Sequence, residues 1–140
     1  MRRIITAVFV LGALALLLWP APELEAVSQQ SVPVNVRIQC NGETVGDVDI
    51  QPYTAVLRRG QNATARFRLL GNSDVSTVTV RPKEGVEWPF DGNPPSFGQG
   101  NDASTGAIRS DVADDVYGYD FIVTCGTDPD TVDPNMDIRP

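Results

Sequence analysis

The stretch Val116 to Cys125, VYGYDFIVTC, alternates with a period of two, and nothing else in the chain restricts its fold as much. Tyr117, Tyr119, Phe121, Val123 and Cys125 fall on one side of an extended segment, and Gly118, Asp120, Ile122 and Thr124 on the other. Successive side chains of a strand point to opposite faces, so this pattern predicts a half-buried strand with an aromatic inner face and a cysteine at its end. An acidic loop follows, Gly126 to Pro134, carrying Asp128, Asp130 and Asp133. Met136 and Ile138 then restart the alternation, which predicts a closing hairpin.

The same period recurs upstream. Val34, Val36, Ile38 and Cys40 alternate with polar residues, and Asn41-Gly42 then supplies a pair suited to the positive φ angles of a tight turn. Val45 to Ile50 is a weaker strand with Val48 and Ile50 inward, stopped or placed at an edge by Pro52. Ala55 to Leu57 is a short run before the turn Arg59-Gly60-Gln61. Ala63, Ala65, Phe67 and Leu69 then form another inner face, and Val78 and Val80 a further one after the turn Gly71 to Asp74. Val86 to Phe90 is short and aromatic, and Ala107 to Arg109 can make a brief strand. Asp91 to Gly106 is rich in Gly, Asn, Pro and Ser, which predicts a long exposed loop. No helical periodicity of useful length follows residue 30. Short strands separated by turns predict an all-β antiparallel sandwich of about seven strands over residues 34–140, with residues 27–33 as a spacer.

Residues 1–26 read as a targeting segment. Arg2 and Arg3 precede an uncharged, mostly apolar run, Ile4 to Trp19, broken by Pro20, Ala21 and Pro22. That run suits the hydrophobic helix of a signal peptide, with Leu24-Glu25-Ala26 as an imperfect cleavage site, and an uncleaved N-terminal anchor is the alternative. Either way the remainder is exported, to the periplasm or the exterior, or held at the inner membrane by its N-terminal helix. From Val27 onward there are 16 acidic and 9 basic residues, and residues 91–140 hold 10 of the acidic and 2 of the basic ones. Nucleic acid and anionic lipid recruit clustered Lys and Arg, so the negative half argues against both, and the membrane enters only through an uncleaved N-terminal segment. Cations or basic proteins are the partners such a surface admits, and a solvated face that keeps an exported domain soluble explains the same charge.

Cys40 and Cys125 are the only cysteines. An even count in an exported chain predicts one disulfide, and both lie on the inward register of their strands. A thiolate ligand or nucleophile normally needs a histidine or another base nearby, and the sequence contains no histidine.

With these features in order, the chain resembles the copper-free cupredoxin-like domains of bacterial exported proteins. The resemblance rests on Val48-Asp49-Ile50-Gln51-Pro52, the Arg59-Gly60-Gln61 turn, Val86-Glu87-Trp88-Pro89-Phe90, Tyr117-Gly118-Tyr119-Asp120-Phe121 and Asp133-Pro134-Asn135-Met136-Asp137-Ile138. It implies a Greek-key β-sandwich. Blue-copper members of that fold place Cys and Met about the last loop, as Cys125 and Met136 stand here, but their metal also needs two imidazoles. The resemblance therefore implies the fold without a cofactor, and Met136 continues the inward alternation as a core residue.

Other chemistry is thinly represented. Asp128, Asp130 and Asp133 can gather oxygen ligands for Ca²⁺, with Asp114 or Asp115 from the acidic turn 111–115, although Val132, Asp133 and Arg139 break the EF-hand pattern. Solvated carboxylates in rigid Pro129 and Pro134 turns explain the same residues. Adjacent Asp114 and Asp115 point apart on a turn, which is unsuited to paired acid–base work. Asn62-Ala63-Thr64 matches the glycosylation pattern, a triplet common by chance. Trp88, Phe90 and Phe97 lie outside the main strands and are candidates for a partner-contact surface, with core packing weighed against it for Trp88 and for Phe97. The expectation is a non-enzymatic exported binding or structural module, with a Ca²⁺-binding protein as the alternative.

Overall fold

In a computed structural model, which describes residues 29–140, the alternating stretches and three short segments without alternation form ten strands, against the expected seven or so. They are β1 (Ser31–Asn41), β2 (Thr44–Gln51), β3 (Thr54–Arg58), β4 (Thr64–Leu69), β5 (Thr77–Pro82), β6 (Ser96–Gly98), β7 (Ala103–Ser104), β8 (Val116–Thr124), β9 (Pro129–Val132) and β10 (Asn135–Arg139). The targeting segment read over residues 1–26 lies outside the described residues.

The strands make two sheets, one in the order β2-β1-β4-β7 and one in the order β3-β10-β8-β5-β6, with β9 also paired to β8. Both sheets are mixed, which corrects the antiparallel expectation. β1 pairs parallel to β4, and β3 pairs parallel to β10. Parallel neighbours need a crossover. The chain supplies one by placing β3 in the second sheet between β2 and β4 of the first. Alternation encodes which face of a strand is apolar and carries no record of its direction.

The residues read as inward form the core. Val34, Val36, Ile38, Ala63, Ala65 and Phe67 are fully buried, as are Val78, Phe121 and Met136. Phe67 stacks on Phe97 with ring centroids 5.4 Å apart, and Phe121 meets both edge-on, at 5.7 and 5.4 Å. Tyr119 completes the cluster, 5.3 Å from Phe121. Offset and edge-to-face pairs of this kind add to the burial of large rings.

Several local expectations change. β1 starts at Ser31, so Ser31 to Pro33 of the expected spacer pair with Thr64 to Arg66. The β1–β2 turn is formed by Gly42 and Glu43 rather than Asn41-Gly42, and Gly42 takes the positive φ of 66° that a side chain resists. Arg59–Gln61 is a single 3-10 turn, closed by Asn62 in the left-handed region. The expected acidic loop contains β9, so β8 is paired along one edge by β9 toward its C-terminal end and by β10 toward its start.

The stretch 91–106 is half exposed as expected but is not a free loop. It contains β6 and β7 and is stitched down at both ends and its middle. Asp91 N donates to Ala107 O, Thr105 N to Ala65 O, and the Gln99 amide to Ser73 O and Val75 O. At Gly106 a Cβ would sit 2.0 Å from Asp91 O, so glycine is what lets the two backbones meet. The composition of this stretch reflects turns and close backbone approaches, and polar composition alone does not separate those from solvent exposure.

Candidate functional site

Cys40 and Cys125 are joined by a disulfide, with Cα atoms 5.5 Å apart. Cys40 belongs to β1 of the first sheet and Cys125 follows β8 of the second, so the bond ties the two layers at one end of the molecule. The β1–β2 register shifts between Ile38 and Cys40. At the next pair, Cys40 opposite Val45, both backbone N–H groups bond to carboxylates rather than to each other's strand. Cys40 N donates to Asp74 at 2.8 Å and Val45 N to Asp130 at 2.8 Å. Charge-assisted acceptors of this kind are among the stronger hydrogen bonds. Two aspartates distant in sequence, Asp74 from a turn and Asp130 from β9, thus hold the hairpin that carries the disulfide.

This placement bears on the Ca²⁺ reading. Asp130 is committed to Val45 N, and Asp133 lies 3.5 Å from Lys83 Nζ, while its backbone carbonyl accepts from the Tyr53 hydroxyl. Asp128 is exposed. The structure does not bring the three carboxylates together, and among the described residues no three Cys, Asp or Glu side chains converge in a way suited to a metal ion. The β9 strand is the physical reason, since it spaces Asp130 from Asp133 along an extended backbone.

The second acidic segment, 111–115, is held by two arginines. Arg59 donates to Arg109 O at 2.7 Å and Val112 O at 2.8 Å, and pairs with Asp114 at 3.1 Å. Arg109 reaches Asp111, Glu87 and Trp88 O. The hydrogen bond from Arg109 holds the Asp111 carboxyl below the usual carboxylate range. Hydrogen bonds to Asp111 and Glu87 in turn raise the Arg109 guanidinium. Asp114 and Asp115 are not paired with each other, since Asp114 faces Arg59 and Asp115 accepts from Val116 N.

Phe90 and Phe97 are core residues, each 1% exposed, which corrects the reading of Phe90 as a partner contact and decides Phe97 for the core. Their backbones lie in segments of poor periodicity, but their rings turn inward, Phe97 onto Phe67 and Phe90 onto Trp88 at 5.0 Å. Trp88 is half-buried against the same core. Met136 is fully buried, and the Cys125 sulfur is bonded to Cys40, so both have structural duties.

The outer face of the first sheet holds a groove of about 370 Å³ lined by Asn35, Asp49, Gln51, Arg68 and Leu70. Gln51, Asn35 and Arg68 share one row across β2, β1 and β4, and Asp49 and Arg37 share the next. None of these residues was singled out as a binding residue from sequence. Their convergence depends on the pairing of β1 with β2 and β4.

No protein-family model matches the sequence, and no curated protein is significantly similar to it.

Proposed function

We propose that this protein is an exported, non-enzymatic β-sandwich module of the cell envelope, acting in the periplasm or outside the cell by engaging another envelope or secreted protein. In this reading the strand connections follow a Greek key of the cupredoxin-like kind, without copper. The N-terminal segment is a signal peptide, or an anchor that leaves the domain at the membrane surface. The observation that carries the export reading is the Cys40–Cys125 bond between the two sheets, since such bonds persist in oxidising compartments. The binding or structural role is supported by how the carboxylates are used. Asp74, Asp130, Asp102, Asp111 and Asp114 each accept from a backbone N–H or an arginine, so they brace loops.

The test is expression of the full chain in a bacterial host, followed by fractionation, thiol labelling and chemical cross-linking in the intact envelope. The expected result is an exported protein without free thiols that cross-links to a defined envelope protein. A reduced protein confined to the cytoplasm would overturn the export reading. An exported protein that acts on substrate alone and cross-links to nothing would overturn the binding role.

A further inference from the structure

We propose that the groove on the outer face of the first sheet binds a small hydroxylated carboxylate of the sugar-acid type. The inference rests on reading the domain as a binding module, and adds a ligand class to it. Three features of the groove carry it.

The first is its charge. Arg37, Arg66 and Arg68 stand on this face among Asp47, Asp49 and Asp102, so a protein whose net charge is −7 gathers three guanidinium groups on one neutral surface. Asp102 is shared between two guanidinium groups, Arg66 at 2.9 Å and Arg68 at 3.0 Å. Arg68 uses its Nε for that contact, which leaves its two terminal nitrogens for a carboxylate in the planar, two-pronged geometry that guanidinium favours.

The second is the mixture of polar groups around that cation. The Asn35 and Gln51 amides and the Asp49 carboxylate offer donors and acceptors along the groove. Asp49 accepts from Gln51 at 3.0 Å and lies 3.7 Å from Arg37, a long ion pair that leaves acceptor capacity on its second oxygen. A bare anion gains nothing from Asp49 and is repelled by it. A ligand bearing hydroxyls beside its carboxylate donates to Asp49 and also meets both amides.

The third is size. Neighbouring strands lie about 4.8 Å apart, so the row Gln51–Asn35–Arg68 spans roughly 10 Å, which matches one sugar ring with its carboxylate. The volume falls within the range of small-molecule sites, and Leu70 supplies an apolar surface for the ring's C–H groups.

The test is a titration of the purified exported domain with galacturonate, followed by backbone amide NMR, with galactose and inorganic phosphate as comparison probes. Galacturonate is expected to give saturable shifts at Asn35, Gln51, Arg68 and Leu70. Galactose and phosphate should each bind about ten-fold more weakly or less, as the loss of a charge-assisted bond or the repulsion from Asp49 requires. Arg68→Gln should weaken galacturonate binding by about ten-fold or more with only a small fall in melting temperature, because Arg66 keeps its contact to Asp102, and Arg68→Lys should restore only part. Absence of saturable shifts, equal binding of phosphate, or undiminished binding by Arg68→Gln would overturn the proposal. Envelope cross-linking is a separate readout, so failure of this titration leaves the partner-binding reading standing, and loss of that reading leaves the titration interpretable.

Discussion

Replacing both cysteines, Cys40→Ala with Cys125→Ala, removes the bond between the sheets and leaves no unpaired thiol. The hydrogen bonds from Cys40 N to Asp74 and from Val45 N to Asp130 use backbone donors, so they persist in the variant. The native hairpin is therefore expected to keep its geometry, and the cost should fall on the unfolded state. The cysteines are separated by 85 positions, and releasing a loop of that length raises the unfolded chain's entropy by an amount equivalent to about 4.5 kcal/mol. For a domain of roughly 110 ordered residues, unfolding entropies near 2 cal/mol/K per residue convert this to a fall in Tm of roughly 15–20 °C. Thermal unfolding followed by far-ultraviolet circular dichroism measures it, alongside a thiol count on unfolded, unreduced wild-type protein. A drop below about 5 °C would refute the entropic argument, because it would mean that the unfolded chain is already restricted without the bond. Two free thiols in the wild-type protein would refute the bond itself.

Tyr119→Phe should be neutral or stabilising by up to about 1 kcal/mol in urea unfolding, because the buried Tyr119 hydroxyl has no hydrogen-bond partner among the described residues. Burial also pushes the Tyr119 phenol above its usual value of 10.0, so its contribution is complete below pH 10.0 and is lost as pH rises through the folded value. Alkaline unfolding should accordingly shift upward in Tyr119→Phe, and an unchanged alkaline limb would contradict this. Phe97→Ala should cost about 3–5 kcal/mol, since its ring is 1% exposed and stacks on Phe67, and a loss under about 1 kcal/mol in the same assay would show that the 91–106 stretch is not anchored there. Asp111, held low by Arg109, contributes stability above its unfolded value of 3.8 that disappears as pH falls through the folded value. A carboxyl-carbon NMR titration should show Asp111 returning upward in Arg109→Gln, and no movement would remove the pairing as the cause.

How far the sequence reaches can be judged strand by strand. The inner faces of β1, β4, β5, β8 and β10 were legible because burial of one face imposes a period of two, and Val34, Phe67, Val78, Phe121 and Met136 are buried as that pattern requires. The pairing of Cys40 with Cys125 was legible for a related reason, as both share the inward register and the chain offers no third cysteine. The short strands β6, β7 and β9 were not legible. Each spans four residues or fewer, too few for alternation to rise above turn-rich composition. Phe90 was misplaced and Phe97 left open between core and surface for the same reason, since an aromatic in an irregular segment carries no mark of which way it turns.

The sequence alone determined the all-β class, the aromatic core of the long strands and the pairing of the two cysteines, because these depend on residue identity at fixed spacing. Tertiary structure decided strand direction, the parallel pairing of β1 with β4 and of β3 with β10, and the dispersal of the acidic residues onto arginines and backbone donors. It also decided the groove of Asn35, Asp49, Gln51, Arg68 and Leu70. Those outcomes depend on register between strands distant in sequence, where a shift by one residue would turn Arg68 inward and leave no groove at all.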